Sequence, residues 1–339
     1  MRILSFAIGA TCVFGALHAP AVLSDEFYAG KTITIVTSTG SGGTYDVAAR
    51  TIARHLPRYL AGVPTVIVQN MPGGGHMLAT NHMYNIAPKD GTTIATVNQS
   101  VPAHQILDGR GVRYDASKFN WLGALGDRNQ VFVTWHDSGV KTFAEVKSKG
   151  LTAGSTGEGS SGFRYPTAIN NVFGTQIKII KGYKSANDVE LALLRGEINA
   201  QAHSYTAFLT GHPDWITDKK IVFLLQIGPK RDRDLPDVPL WTELAANDEQ
   251  RAVLSLIGAA IPLGRPFLAP PGLPTERVSD LQKAFMATLT DSEFVADATK
   301  QNLEIVPMAG VEVAQIVKDT LDASPDTVVK AKAAMGVKD

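Results

Sequence analysis

Apolar residues recur along this chain in short β-branched runs, set between glycine-rich turns and stretches of helical spacing. Thr34-Ile35-Val36-Thr37 reads as a buried strand. Ser38-Thr39-Gly40-Ser41-Gly42-Gly43 then suits a tight, exposed loop. Thr44 followed by Val47, Ala48, Ile52 and Leu56 predicts an amphipathic helix capped by Thr44. The order repeats. Thr65 to Gln69 is a second strand, Asn70-Met71-Pro72-Gly73-Gly74-Gly75 a second loop, and His76 to Ala87 a helix stopped by Pro88-Lys89-Asp90-Gly91. Thr92 to Val97 is a third strand, ending at Asn98-Gln99-Ser100. Successive βαβ steps with short loops predict a parallel sheet whose loops gather at the strands' C-terminal edge, where open α/β sheets bind ligands.

Trp121 to Leu125 and Val131 to Trp135 read as strands leading out of this first unit, and Phe143 to Lys149 as a short helix. The opening pattern then returns. Leu151-Thr152-Ala153 is a strand, Gly154 to Gly162 a second Gly/Ser/Thr loop, and a helix follows to about Asn171. Gln176 to Lys181 and Ile198 to His203 are strands flanking a helix over Ala186 to Arg195. Ile221 to Ile227 is an apolar strand, read as returning to the first unit. The last third predicts helices near 275–290, 291–301 and 311–332 and a late strand at Leu303 to Val306, with no glycine-rich loop of its own. The expected organisation is 25–126 and 228–339 in one discontinuous unit, with 127–227 in the other.

The 32 basic and 32 acidic residues cancel, so nothing draws the chain to nucleic acid or an anionic membrane surface. Arg2, the apolar stretch Ile3 to Leu17 and the small residues up to Ser24 read as a signal peptide over 1–24, which predicts export to the periplasm. The only cysteine, Cys12, falls inside it, so the remainder has no thiol chemistry.

Strand, Gly/Ser loop and helix together aim free N–H groups and a helix dipole at one spot, which suits an anion. Two such loops facing each other would grip an anion from both sides with main-chain hydrogens and hydroxyls, without a lysine or arginine in contact. Hydrogen bonds to a charged group contribute roughly 1.5–3 kcal/mol each, and about −8.2 kcal/mol corresponds to micromolar binding. Gly157-x-Gly159-x-x-Gly162 matches the dinucleotide pattern, but no acid stands at the end of the next strand, near Lys181-Gly182. Gly30-Lys31-Thr32 has Asp25 where a P-loop needs glycine. No Gly-x-Ser-x-Gly or His-Glu-x-x-His occurs, and the histidines are scattered, so neither catalysis nor a metal or cofactor is expected. His203, ending a strand, is a candidate for lining a pocket.

The ordered motifs resemble the receptor family of the tripartite tricarboxylate transporters, the TctC or Bug solute-binding proteins. They are Gly42-Gly43-Thr44-Tyr45-Asp46 with Ala49-Arg50, Asn70 to Gly75, Pro88 to Gly91, Gly154 to Ser160, Tyr183-Lys184, Leu193 to Ile198, Leu235-Pro236-Asp237-Val238-Pro239 and Ala269 to Pro274. The resemblance implies a type II-like periplasmic binding-protein fold: two α/β lobes, each a mostly parallel sheet flanked by helices, with a cleft between. It implies a monomeric receptor that delivers a small organic mono-, di- or tricarboxylate to permease subunits of the TctA/TctB type. A ligand-loaded sensor, or an exported enzyme on the same frame, is the alternative. The ligand-binding residues it implies are Ser38, Thr39, Gly40, Ser41, Gly42, Gly43, Thr44 and Asp46 from the first loop, with Gln99 on the same edge. From the second lobe come Ser155, Thr156, Gly157, Ser160 and Tyr183, with Asn199 and His203 beside them. Two departures stand out. Thr37-Ser38 replaces the family's Pro-Phe, and Asn199 stands where many members have Asp, which disfavours an amino-acid ligand. Trp121, Trp135 and His203 are candidates for tuning ligand shape.

Overall fold

The computed structural model describes residues 26–337, except 108, 110, 158, 159, 184 and 185. The segment read as a signal peptide lies outside the described residues, as do Gly159 and Lys184. The first third runs β1 (Thr32–Thr37), α1 (Thr44–His55), β2 (Thr65–Asn70), α2 (Met77–Asn85), β3 (Thr93–Thr96), α3 (Val101–Leu107) and β4 (Asn120–Ala124). The middle runs β5 (Gln130–Trp135), α4 (Val146–Lys149), β6 (Leu151–Ser155), α5 (Ser161–Phe173), β7 (Ile177–Lys181), α6 (Ala186–Leu194), β8 (Ala200–Ser204), α7 (Tyr205–Gly211), α8 (Pro213–Thr217) and β9 (Ile221–Ile227). The remainder runs α9 (Asp248–Gly258), β10 (Pro266–Ala269), α10 (Thr275–Thr290), α11 (Ser292–Lys300), β11 (Met308–Ala309), α12 (Gly310–Leu321) and α13 (Pro325–Ala334).

Two mixed sheets result. The first has the order β11-β4-β10-β3-β1-β2 and the second β7-β6-β8-β5-β9. β1 pairs in parallel with β2 and β3, while β10 inserts antiparallel between β3 and β4. β6 pairs in parallel with β7 and β8, and β5 runs against both β8 and β9. β1 lies inside the sheet, between β3 and β2, and carries apolar residues on both faces. Ile33 and Ile35 pack with Ala48 and Ile52 of α1 and Phe285 of α10. Val36 packs with Met77 and Met83 of α2 and Val317 of α12. The second sheet is covered likewise. Phe132, Ala153 and Ala200 meet Ile169 of α5, while Val131 and Val133 meet Val189 of α6 and Phe208 of α7.

The last third does not pack as one piece. α10 to α12 cover the first sheet, but Trp241, Leu254 of α9 and Ala331 of α13 lie in a core of the second. β9 does not return to the first sheet; it pairs with β5 at the edge of the second. Residues 303–306 are not a strand, although the Val306 N–H donates to Leu125 O at 2.7 Å. The connections between sheets are tight. A Cβ on Gly264, whose φ is +54°, would lie 2.1 Å from the Gly126 oxygen, and one on Gly126 would lie 2.1 Å from the Val306 oxygen. Only glycine lets these backbones touch.

Candidate functional site

The loop after β1 is shaped by a side chain inside the helix that follows. The cap position of α1 is Gly43 rather than Thr44, and no side chain caps it. Instead Asp46, 2% exposed, reaches back from the first turn and accepts the Gly42 N–H at 2.9 Å. Arg50 Nε donates to it at 3.0 Å and Asn70 Nδ2 at 2.8 Å, and the same Asn70 amide reaches Thr39 O at 3.0 Å. Burial raises the Asp46 pKa, but the hydrogen bonds from Arg50, Gly42 and Asn70 outweigh it and hold the carboxyl below its ordinary value. Asp46 therefore holds the loop, while Gly40, Ser41, Gly42, Gly43 and Thr44 stay exposed. Ser38 is buried, with its Oγ 3.1 Å from His76 Nδ1, and Thr39 Oγ1 lies 3.3 Å from Thr37 Oγ1.

His76 and Tyr45, neither of them among the expected ligand-binding residues, complete this edge. His76 has φ +79° and joins Ser38 at the end of β1 to Asn98 after β3, 3.3 Å from its Nε2. Burial lowers its pKa, against hydrogen bonding at Ser38 that raises it, so the ring stays neutral at pH 7. Burial also pushes the Tyr45 phenol up to about 12. Its neutral hydroxyl donates to Gly264 O at 3.1 Å and accepts the Gln99 N–H at 3.3 Å. A histidine directly after a run of glycines was the only local sign of the first role. Nothing local marked the second.

In the second lobe Ser155 is buried. Its Oγ accepts the Gly157 N–H at 3.1 Å and lies 3.0 Å from Ser160 Oγ, which donates to Gly157 O at 2.7 Å. These hydroxyls hold their own turn. Thr156 is exposed, and the Ser160 side chain does not cap α5. Tyr183 folds over Gly154, against which a Cβ would lie 3.3 Å from its ring, and packs with the Val189 cluster. A cavity of about 220 Å³ lies between the lobes. Asn98, Gln99 and Ser100 line it from the first lobe and Ser161, Arg164 and Tyr165 from the second. Gln99 and the start of α5 thus share one space.

Other expected residues lie elsewhere. Asn199 sits at the start of β8, beside Thr152, whose N–H its Oδ1 accepts at 2.8 Å. That is the end of the sheet opposite the loops, because β6 and β8 are parallel. Trp121 is 3% exposed and donates to Ala116 O, and Trp135 packs on Trp215, so both are core. His203 accepts the Ser204 N–H at 2.9 Å and lies 3.9 Å from Glu190, which also bonds His212 at 3.0 Å. Burial lowers its pKa against the charge of Glu190. Among the described residues, His55, Asp291 and Glu293 bring possible metal-ligand atoms within 4.8 Å of one another. Arg58 lies 2.6 Å from Glu293 and His55 2.9 Å from Asp297, so these groups already hold one another where the chain leaves α1 and enters α11. Among the described residues, no helix is long and apolar enough to cross a membrane.

The family described as "Tripartite tricarboxylate transporter family receptor" matches residues 48–333. A Cupriavidus necator protein named "UPF0065 protein in gbd 5'region" is 26% identical over 322 residues, 92% of this chain and 91% of that one. A TctC solute-binding protein from Polaromonas superposes with TM-score 0.72 at 18% identity, over 91% of this chain and 99% of its own. MatC from Rhodopseudomonas palustris, solved with bound malate, superposes with TM-score 0.60 at 21% identity, over 88% and 99%. The paired α/β sheets are thus those of solute-binding proteins, and the chain belongs to the tripartite tricarboxylate transporter receptor family.

Proposed function

We propose that this protein is a periplasmic receptor that captures a small organic carboxylate between its lobes and delivers it to permease subunits of the TctA/TctB type. The observation that carries this reading is the first loop. Asp46 and Asn70 hold its shape from behind and leave Gly40 to Thr44 exposed at the uncapped start of α1. Such a loop offers main-chain hydrogens to an oxygen anion. The inter-lobe cavity beside Gln99 supports it, as does the malate held by the R. palustris relative. Binding is a closure of the two lobes, a population shift limited by the ligand's differential affinity for the closed form. The first loop contacts one carboxylate through Thr39, Gly40, Ser41, Gly43 and Thr44, because the Ser38 and Gly42 N–H groups already donate to Thr96 O and Asp46. Thr156, Gly157 and Ser160 approach from the other lobe. No group positioned for turnover is part of this reading.

Calorimetric titration with a panel of mono-, di- and tricarboxylates tests it. At least one acid binds at micromolar concentration or tighter, and Ser41→Asp abolishes that binding by placing a like charge in the loop. A panel with no binder, or full binding by the variant, overturns the reading.

A further inference from the structure

The backbone of His76 is strained. Its φ of +79° lies in the left-handed region, which glycine enters freely and other residues enter at a cost. Strain of this kind points to a use for the side chain. The ring spans two parts of the cleft's edge. Its Nδ1 lies 3.1 Å from Ser38 Oγ, where the first loop begins. Its Nε2 lies 3.3 Å from Nδ2 of Asn98, which lines the inter-lobe cavity. Ser38 stands where the family motif has Phe, so the motif does not supply this contact.

The main chain fixes the direction of the relay. The Ser100 N–H can only donate, and it meets Asn98 Oδ1 at 2.9 Å, with Ser100 Oγ 2.6 Å from the same oxygen. That orients the amide, and its Nδ2, which also can only donate, faces His76 Nε2. Nε2 is therefore the bare nitrogen, and Nδ1 carries the hydrogen and donates it to Ser38. A second proton has to go on Nε2, where it meets the hydrogens of Asn98. Asn98 must then turn over and release Ser100, which lines the same cavity. The titratable groups that face the ring are Tyr45 of α1, at 6.2 Å between ring centres, and His104 of α3, whose charge opposes a second one here.

We propose that His76 is a positioning residue: its neutral ring ties the first loop to the wall of the inter-lobe cavity, and a proton on Nε2 unties them and weakens ligand binding. The inference rests on the reading of the cleft as the ligand site, and it supplies a link between the two halves of that cleft. Affinity is full at neutral pH. It falls as the ring gains its proton, below the ordinary 6.5 because burial disfavours the cation.

Nitrogen NMR of the imidazoles in the whole, ligand-free protein reads the tautomer, with His76→Asn to assign the signal. Hydrogen on Nδ1 and a bare Nε2 are expected at pH 7; hydrogen on Nε2 overturns the inference. Asn98→Asp sets an acceptor before Nε2, so the ring takes up its proton at higher pH by the same measurement, and an unmoved titration also overturns it. The tightest binder of the carboxylate panel, which includes malate, is then titrated from pH 7.5 to 5. The wild type loses about three- to tenfold in affinity over this range, the worth of the bond from Asn98. His76→Asn accepts the left-handed backbone and keeps an amide hydrogen for Ser38, but it is too short to reach Asn98. It binds at pH 7.5 as weakly as the wild type does at pH 5, and its affinity changes with pH only as the acid itself titrates. Parallel curves for the two proteins overturn the inference and leave the carboxylate reading standing. Failure of the wild type to bind any acid of the panel overturns both.

Discussion

The Asp46 carboxylate accepts the Gly42 N–H at 2.9 Å, four residues back along the chain. That bond runs opposite to the usual cap, in which a residue before the helix bonds forward into its first turn. It leaves the outer face of the loop free and ties the inner face to Asn70 and Arg50. In Asp46→Ala the Gly42 N–H and the Asn70 amide lose this acceptor. The expected loss is about 1–3 kcal/mol of stability, read as a lower urea midpoint, together with weaker carboxylate binding. The folded pKa of Asp46 is depressed, so its contribution is complete above the unfolded value near 3.9 and disappears as pH falls through the folded one. Wild type and variant therefore differ at neutral pH and converge in acid; a gap that persists unchanged in acid contradicts this account.

His76 has the same sign for a different reason. Its folded pKa lies below the ordinary 6.5, chiefly because of burial. The unfolded chain takes up the proton first, so stability is complete above pH 6.5 and declines as pH falls from there through the folded pKa. His76→Gln removes this slope. Thermal melts from pH 7.5 to 5 measure it, and parallel curves for the two proteins would show that the ring is not held neutral.

Gly264 cannot carry a side chain without moving the neighbouring backbone. Its added Cβ would meet the Gly126 oxygen at 2.1 Å, in a conformation with φ +54°. Gly264→Ala is expected to cost at least about 1–3 kcal/mol in strain. It also disturbs the carbonyl that Tyr45 Oη bonds, so ligand affinity falls along with the melting temperature. Wild-type values for both would refute the close approach.

Trp241 is fully buried beneath Gly258 of α9 and packs edge-on to Tyr165 at 6.0 Å. It belongs to the core that joins α9 and α13 to the second sheet. Trp241→Ala removes that wedge, and the expected loss is about 3–5 kcal/mol in equilibrium unfolding. A loss below about 1 kcal/mol would mean that this core does not depend on it.

Short-range chemistry carried most of the architecture. The β-branched run at Thr34 to Thr37 and the glycines after it specify strand and turn within a few residues, as do Leu151 to Ala153 and the loop beyond. Asp46 and Arg50, one helical turn apart, also belong to that range. What the one-dimensional pattern could not carry is pairing across distance. Asn70 meets Asp46, Tyr45 meets Gly264, and Gln99 shares a cavity with Arg164, although 24, 219 and 65 positions separate these partners in the chain. Asn199 illustrates the converse. Its place near a strand end was legible, but which end faces the loops depends on strand direction in the assembled sheet. Likewise nothing in the last third's sequence says which sheet its helices cover, and Leu254 of α9 and Ala331 of α13 join a core of the second.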